Sequence, residues 1–282
     1  MSWLKCRPKS ENSLTGNCPI PYFCAMHPVL FKLGSITLYS YGFMILIGVV
    51  CGYIYALKNL KKQGLNSEDI SSLFLWCFAS VFLGGRLFYY LENPALYIKE
   101  PSKLFEGLSS GFVFYGSFLL TIPVLVWWFK SKKINVWEGF DVVGISGAFV
   151  HAFGKIGCFM AGCCHGLPSG KHFGVVFTNQ LCSADPLNTP LFPTQLWDTG
   201  IVFFSIALML WFKKRKWFHG QLFLTYGMVY AIGRFVTERF RGDEERGFLF
   251  NGLLSHSQAI ALLVFCICAL LFVFGFKKRR IE

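Results

Sequence analysis

The chain has 282 residues, of which 54% are hydrophobic and only 15% are charged, and its formal net charge is +12. Apolar runs of nearly 20 residues recur along it, which excludes an ordinary soluble domain and predicts an all-α polytopic membrane protein. The positive charge lies in short clusters beside these runs, as expected of topology signals and of contacts with anionic membrane lipids. Nucleic acid is therefore not an expected partner.

Residues 1–36 are polar and rich in proline, which predicts an arm outside the membrane. The apolar runs that follow predict seven transmembrane helices, at residues 38–57, 70–91, 112–129, 141–163, 195–212, 220–240 and 253–276. The connection 163–194 is the longest, and its glycine, proline, asparagine and aspartate content favours a small structured cap. We therefore divide the chain into the arm and a membrane domain of residues 37–282.

Lysine and arginine residues cluster where the first, third, fifth and seventh predicted spans end. These clusters lie at residues 58–62, 130–133, 213–216 and 277–280. Because cytoplasmic loops carry an excess of lysine and arginine, these ends are predicted to be cytoplasmic. The N-terminus and the cap are then outside, and the C-terminus is in the cytoplasm.

Three cations lie inside the predicted spans, and such residues are rare in hydrocarbon and usually functional. Arg86 and Arg234 stand near the outer ends of their spans, and Lys155 lies deep in the fourth span. We count only one nearby acid, Glu238, so spare positive charge remains for an anion, and the abundant anion of a bilayer is a lipid phosphate. Two simpler interpretations remain: Arg234 and Glu238 pair on one helix face, and Arg86 extends to the membrane surface.

The segment 154–166 contains four glycines, three cysteines and a histidine, and we interpret it as the wall of a polar cavity. Its cysteines, Cys158, Cys163 and Cys164, resemble metal ligands. Adjacent cysteines do not easily occupy neighbouring tetrahedral corners, so we expect no metal and no cofactor. A disulfide from Cys163 or Cys164 to Cys182 and simple packing both remain as alternatives.

Aromatic and histidine side chains supply further candidates for the cavity. Tyr41, Tyr115 and Tyr230 lie beside glycines on three different spans. His151 precedes Lys155 by four residues and shares its helix face. His151 is thus either a catalytic base or a histidine satisfied within the helix bundle.

Together these motifs resemble the prolipoprotein diacylglyceryl transferases of bacterial inner membranes. The segments that carry the resemblance are 38–42, 82–86, 112–116, Asp141, 154–166, 193–196 and 230–243. The resemblance implies a multi-pass protein of the bacterial inner (cytoplasmic) membrane. It also implies the first step of lipoprotein maturation. A diacylglyceryl group passes from phosphatidylglycerol to the lipobox cysteine thiol of a prolipoprotein, a thioether forms, and glycerol phosphate leaves. The implied partners are phosphatidylglycerol, the lipobox peptide and membrane lipids.

The resemblance also implies roles for particular residues. The implied catalytic residues are Arg234, Lys155, Tyr115, Glu238 and Tyr41. We add His151 to this catalytic set because it shares the helix face of Lys155, not because the family pattern contains it. The implied phosphatidylglycerol-binding residues are Lys155, Arg86, Arg234, Tyr230, Asp141 and Gly166.

Four positions depart from the family pattern. Lys155 replaces an arginine, Cys158 an asparagine, Tyr115 a histidine and Cys163 an acidic residue. A tyrosine has too high an ordinary pKa to serve easily as a base, so His151 or another histidine of this region, His165, is expected to replace it. Two other functions remain as alternatives: a membrane thiol oxidoreductase that uses the cysteines, and a lipid-binding or transport paralogue without chemistry.

Overall fold

The computed structural model describes residues 27–34, 36–92, 94, 97, 114–170, 173–242, 247–249 and 253–279. Within this part of the chain, seven long helices lie where the seven apolar runs predicted them. They are α1 (Ser40–Leu60), α2 (Ser67–Glu92), α3 (Phe114–Ser131), α4 (Val136–Ala161), α5 (Thr194–Lys213), α6 (Gln221–Thr237) and α7 (His256–Arg279).

Five of these helices are long and apolar enough to cross a membrane. They occupy Ser40–Gln63, Ser67–Leu91, Val136–Ala161, Thr194–Lys213 and His256–Lys278. The helix α3 contributes a shorter apolar segment, Gly116–Ser131. The helix α6 has 17 residues and is followed directly by a 3-10 turn at Glu238–Phe240. An all-α membrane protein is thus confirmed, whereas the number of spans and their orientation stay predictions.

Three two-stranded antiparallel sheets lie in the connections. They pair β1 (Val29–Leu33) with β2 (Ile36–Tyr39), β3 (Val175–Val176) with β4 (Pro190–Leu191), and β5 (Phe248–Leu249) with β6 (Leu254–Ser255). The first sheet includes the end of the predicted arm and leads directly into α1. Residues 1–26 of that arm lie outside the described residues. The second sheet belongs to the predicted cap, which therefore contains regular structure.

The chain divides into two compact units. One comprises residues 1–52 and 144–282, and the other comprises residues 53–143. In the second unit, glycines bring α2 and α3 into backbone contact: a Cβ atom added at Gly84 would lie 2.5 Å from the carbonyl oxygen of Gly116. Beside this contact the Ser117 hydroxyl donates a 2.7 Å hydrogen bond to the carbonyl oxygen of Val81. Small residues of this kind let membrane helices pack closely.

In the first unit, glycines bring α1 against α4. A Cβ atom at Gly52 would lie 2.6 Å from the carbonyl oxygen of Ser146, and one at Gly48 would meet α4 backbone at 2.8 Å. Further along, a Cβ atom at Gly157 would lie 3.1 Å from the Cα atom of Tyr41. The two helices therefore run antiparallel in contact, which holds Tyr41 beside the last turns of α4. In the same unit, α6 packs against both α5 and α7.

Candidate active site

The first ion pair of the site joins α4 to α5. The ammonium of Lys155 lies 2.7 Å from a carboxylate oxygen of Asp198, and the two side chains are only 13% and 1% exposed. Thr237, at the end of α6, donates a 3.0 Å hydrogen bond to the other carboxylate oxygen. One carboxylate therefore connects three helices at the depth of Lys155.

Asp198 was absent from the residues predicted for the site, and the expectation of a single nearby acid was wrong. A signal was present in the sequence, because Asp198 is an acidic residue inside the predicted span 195–212. A carboxylate in hydrocarbon needs a partner, just as a cation does. What the sequence did not indicate was which of the cations it would pair with.

The second ion pair lies within one helix turn, as the simpler interpretation proposed. Arg234 Nη2 is 2.7 Å from Glu238 Oε2, and the side chains are 15% and 3% exposed. The Ser255 hydroxyl donates a 3.1 Å hydrogen bond to Glu238 Oε1. In the part of the chain that the structure describes, Nη1 of Arg234 is buried and has no hydrogen-bond partner. A buried guanidinium N–H without a partner is unusual in proteins and is a ready donor to an anion.

The two ion pairs belong to one electrostatic site. Asp198 and Tyr230 each interact electrostatically with both Lys155 and Arg234. Arg241, from the turn after α6, acts on Lys155 and Tyr230 as well. Among the described residues, three cations and two carboxylates therefore contribute to this site. Arg241 had not been singled out from the sequence.

An aromatic group on α6 surrounds His151. The Nδ1 atom of His151 lies 2.6 Å from the hydroxyl oxygen of Tyr226. The ring of Tyr230 stands edge-on to the His151 ring, with 4.7 Å between the two ring centroids. The two tyrosine rings stack on each other at 6.1 Å. His151 also interacts electrostatically with Lys155 and Arg234, so it borders the charged site. Tyr226 had not been singled out from the sequence.

Three cysteine sulfur atoms meet just beyond the end of α4. Gly162 and Cys164 both have left-handed backbone conformations, with φ of +78° and +59°, and they turn the chain back on itself. The Sγ atoms of Cys158, Cys163 and Cys164 then lie within 4.8 Å of one another. Among the described residues, this is the group with side chains close enough to hold a metal ion. Tyr41 interacts electrostatically with all three cysteines.

The first turn of α5 fixes this cysteine turn. Gln195 Nε2 donates a 2.8 Å hydrogen bond to the carbonyl oxygen of Cys163, and the Thr194 hydroxyl donates one of the same length to that of Cys164. The Gln195 and Thr194 side chains are fully buried. Within the described residues, Oε1 of Gln195 has no hydrogen-bond partner.

The disulfide alternative is not found in the structure. Cys163, Cys164 and Cys182 are all free thiols. Cys182 instead packs in a small hydrophobic cluster with Phe159 and Phe177, and burial raises the pKa of its thiol. The packing alternative therefore accounts for Cys182.

His165 and Gly166 hold the cap together. His165 Nε2 accepts a 3.2 Å hydrogen bond from the backbone N–H of Asp185, and Nδ1 donates to the carbonyl oxygen of Gly166. Both ring nitrogens are thus engaged with backbone, so His151 is the better candidate for a base. A Cβ atom at Gly166 would lie 2.5 Å from Phe192 Cβ and 2.6 Å from the carbonyl oxygen of Phe240. Close backbone packing therefore requires a glycine at this position, and the lipid-binding role implied for Gly166 stays a prediction.

The other predicted site residues belong to the second unit. Arg86, on α2, is buried with its guanidinium carbon 6.0 Å from the ring centroid of Tyr90, which does not fit a side chain that extends to the surface. Asp141 is buried on α4 and interacts electrostatically with Tyr55. Tyr115 lies in the first turn of α3, and its side chain is outside the described part of the chain. The roles implied for Arg86, Asp141 and Tyr115 stay predictions.

The chain is similar to named proteins over most of its length. The model of the family described as prolipoprotein diacylglyceryl transferase matches residues 28–274. A protein of Clostridium tetani named phosphatidylglycerol–prolipoprotein diacylglyceryl transferase is 35% identical over 255 residues, which cover 90% of this chain and 99% of the relative. A relative from Clostridium perfringens, named phosphatidylglycerol–prolipoprotein diacylglyceryl transferase 2, is 32% identical over 257 residues. These residues cover 91% of this chain and 98% of the relative. A relative from Limosilactobacillus reuteri is 27% identical over 265 residues, which cover 91% of this chain and 94% of the relative. The chain therefore belongs to the prolipoprotein diacylglyceryl transferase family.

Proposed function

We propose that this chain is the transferase that moves the diacylglyceryl group of phosphatidylglycerol to the cysteine thiol of a prolipoprotein, the first step of lipoprotein maturation. The observation that carries the proposal is the family match over residues 28–274, together with the 35% identity to the Clostridium tetani enzyme. The comparisons give no support to a thiol oxidoreductase or to a paralogue without chemistry.

The reaction requires positive charge where the phosphate leaves. A sulfur displaces a phosphate oxygen at a glyceryl carbon, and the departing glycerol phosphate gains a negative charge. Fixed cations in a site that excludes water stabilise such a charge more strongly than cations in water do. Arg234 supports this role, because its buried Nη1 has no protein partner among the described residues and is available to a phosphate oxygen. Lys155 adds a compact charge beside it.

The two carboxylates position these cations. Asp198 holds Lys155 through a 2.7 Å ion pair and is itself held by Thr237. Glu238 holds one edge of the Arg234 guanidinium and leaves Nη1 for the substrate. Arg241 brings a third cation to the described residues of this site, and it acts electrostatically on Lys155.

His151 is our candidate for the group that accepts the thiol proton. It stands on the same face of α4 as Lys155, and its Nδ1 atom is held by Tyr226 at 2.6 Å. A hydrogen bond that fixes one ring nitrogen also fixes the direction of the other, which is how a catalytic histidine is oriented. Tyr230 packs edge-on against the imidazole ring of His151.

For its membrane arrangement we propose seven spans in the bacterial inner membrane, with the N-terminus and the cap 163–194 outside and the C-terminus in the cytoplasm. The lysine and arginine clusters, such as the one at residues 213–216, support this orientation. A reporter enzyme that is active only outside the cytoplasm tests it when fused after Asn188 or after Lys214. Activity is expected at the first position only, and the reverse result would overturn the orientation.

The activity is tested with the purified chain in detergent, phosphatidylglycerol with labelled acyl chains, and a synthetic lipobox peptide. We expect a thioether-linked diacylglyceryl peptide by mass spectrometry and an equal amount of released glycerol phosphate. A peptide with serine in place of its cysteine is the matched control and should give neither product. The proposal fails if the cysteine peptide is not modified under conditions in which the Clostridium tetani enzyme modifies it.

A further inference from the structure

The cysteine turn after α4 has the dimensions of a metal site. In a tetrahedral zinc–thiolate site the Zn–S bonds are about 2.3 Å, which places the sulfur atoms about 3.8 Å apart. Those of Cys158, Cys163 and Cys164 already lie within 4.8 Å of one another. Small side-chain rotations would therefore enclose one ion with three sulfur ligands.

The sequence-based objection to a metal does not apply to this turn. Adjacent cysteines in ordinary extended or helical backbone direct their side chains apart. Here Cys164 has a left-handed φ of +59°, and Gly162, two residues before it, has a φ of +78°. The left-handed residues reverse the chain, and the two neighbouring sulfurs converge with that of Cys158 on the last turns of α4. A non-glycine residue in this conformation is uncommon and costs free energy, so such outliers concentrate at functional sites.

The surroundings of the turn also suit a metal site. The carbonyl groups of Cys163 and Cys164 are fixed by the buried side chains of Gln195 and Thr194, so the ligands are held before an ion arrives. Gln195 Oε1 is buried beside this turn without a partner among the described residues, which suits a donor such as a metal-bound water. Lys155 interacts electrostatically with Cys158 and Cys164 and would offset the charge of bound thiolates.

We propose that Cys158, Cys163 and Cys164 bind a zinc ion, and that the fourth coordination position of this ion takes the thiol of the acceptor cysteine. Three sulfur ligands and one open position form the arrangement of a catalytic zinc site, whereas a closed set of four protein ligands is structural. Thiolate ligands favour soft or borderline ions such as zinc over magnesium or calcium. The second half of the proposal rests on the proposed transferase function, and the first half does not.

Zinc would supply what this chain lacks relative to its family. By the resemblance described above, Tyr115 replaces a histidine and Cys163 replaces an acid, which implies that two groups able to accept a proton are absent here. The nucleophile must be a thiolate, and a thiol that coordinates zinc loses its proton outright. Two of the departures from the family pattern, at Cys158 and Cys163, are themselves zinc ligands in this proposal.

The step balances without an oxidant or a reductant. The acceptor thiol releases its proton as the sulfur binds zinc, and the proton passes through water to His151. The sulfur then forms a bond to the glyceryl carbon while the bond from that carbon to the phosphate oxygen breaks. The electron pair of the broken bond leaves with glycerol phosphate. The neutral thioether is a weak ligand and dissociates from the ion.

The geometry of α4 places the two partners of this step side by side. Lys155 and Cys158 are three residues apart and therefore on one helix face, about 4.5 Å apart along the helix axis. His151 lies on the same face one turn before Lys155. A phosphate held by Lys155 and Arg234 would thus lie next to a sulfur held at the zinc ion.

Metal binding is measured on the full-length chain in detergent, independently of activity. The reduced protein is equilibrated with zinc or with cobalt, freed of unbound metal, and its metal content is measured. We expect about one ion per chain and intense thiolate-to-cobalt absorption. Cys158→Ser, Cys163→Ser and Cys164→Ser should each weaken binding on the order of 10-fold or more. Cys266→Ser, on the exposed surface of α7, is the matched control and should bind as the unaltered chain does.

Adding the lipobox peptide tests the open position. The thiolate-to-cobalt absorption should rise with the cysteine peptide and not with the serine peptide. The proposal is overturned if metal content stays well below one ion per chain, if the triple serine variant retains it, or if Cys158, Cys163 and Cys164 are recovered as disulfides. It is also overturned if chelated, metal-free protein keeps full transferase activity, a result that would leave the proposed function intact. A chain that binds zinc through the three cysteines and modifies no peptide would refute the function and keep the site.

Discussion

Replacing Asp198 by asparagine tests the ion pair on which the site is built. The substitution keeps the shape of the side chain and the hydrogen bond from Thr237 but leaves Lys155 without its counter-charge. At the observed distance of 2.7 Å and an effective dielectric constant of about 20, the attraction amounts to about 6 kcal/mol. Desolvation of the two charges offsets part of this, and removing one partner of a buried pair costs about 3–5 kcal/mol. Asp198→Asn is therefore expected to lower both thermal stability and transferase activity.

A second substitution separates stability from catalysis. When Lys155→Met is combined with Asp198→Asn, no unpaired charge stays buried, so most of the lost stability should return. Activity should stay lost, because the cation that faces the phosphate is absent. The coupling between the two substitutions should be about 0.5–3 kcal/mol, as for other residues in direct contact. Both quantities are measured in detergent, by thermal unfolding and by formation of the lipidated peptide.

The matched control is the exposed ion pair between Asp69 and Lys132, which has a distance of 2.5 Å and side chains that are 21% and 37% exposed. Asp69→Asn should lower the unfolding temperature much less than Asp198→Asn does, because solvent screens this more exposed pair. The reasoning is refuted if Asp198→Asn is as stable as the unaltered chain. It is equally refuted if the double variant is less stable than Asp198→Asn, since the cost would then not come from an unpaired lysine.

Three further predictions follow from contacts described above. Arg234→Lys keeps the charge but loses Nη1, and it should lower the turnover of phosphatidylglycerol by about 10²-fold while the folded state persists. Gly166→Ala forces a Cβ atom into two neighbouring segments of the cap and should lower the free energy of unfolding by about 1–3 kcal/mol. Gly84→Ala should destabilise the contact of α2 with α3 by a similar amount, measured by thermal unfolding in detergent.

Each of these predictions has an outcome that contradicts it. Full activity of Arg234→Lys would show that Nη1 does not bind the phosphate. For the two glycines the control is Gly147→Ala in α4, where nothing lies within 4 Å of the added Cβ atom and no loss of stability is expected. If Gly166→Ala or Gly84→Ala unfolds at the same temperature as Gly147→Ala, the backbone contact is not as close as described.

The helices and the cationic residues could be predicted from the sequence because both signals are local. An apolar run of about 20 residues has one stable form in lipid, a helix with all its backbone groups hydrogen-bonded internally. Lys155 and Arg234 stand out because a cation inside such a run needs a specific reason. The pairing of Arg234 with Glu238 was also accessible, since residues four apart on a helix are neighbours.

The rest of the site depends on residues that meet only in the folded chain. Asp198 is 43 positions from Lys155, and Thr237 is 39 positions from Asp198, so no local pattern specifies either contact. The convergence of Cys163 and Cys164 depends on a left-handed backbone that local sequence rules discourage for any residue except glycine. That conformation persists because hydrogen bonds from the distant first turn of α5 hold it.

By itself, the sequence determined that this is a helical membrane protein of the prolipoprotein diacylglyceryl transferase family, with cations inside apolar helices. The tertiary structure alone decided which acids pair with those cations, which guanidinium nitrogen has no protein partner among the described residues, and that three sulfur atoms lie within 4.8 Å of one another. The physical reason is a difference in range. Burial of apolar residues and helix formation depend on neighbours along the chain, whereas a charged site depends on distances of a few ångströms between distant segments.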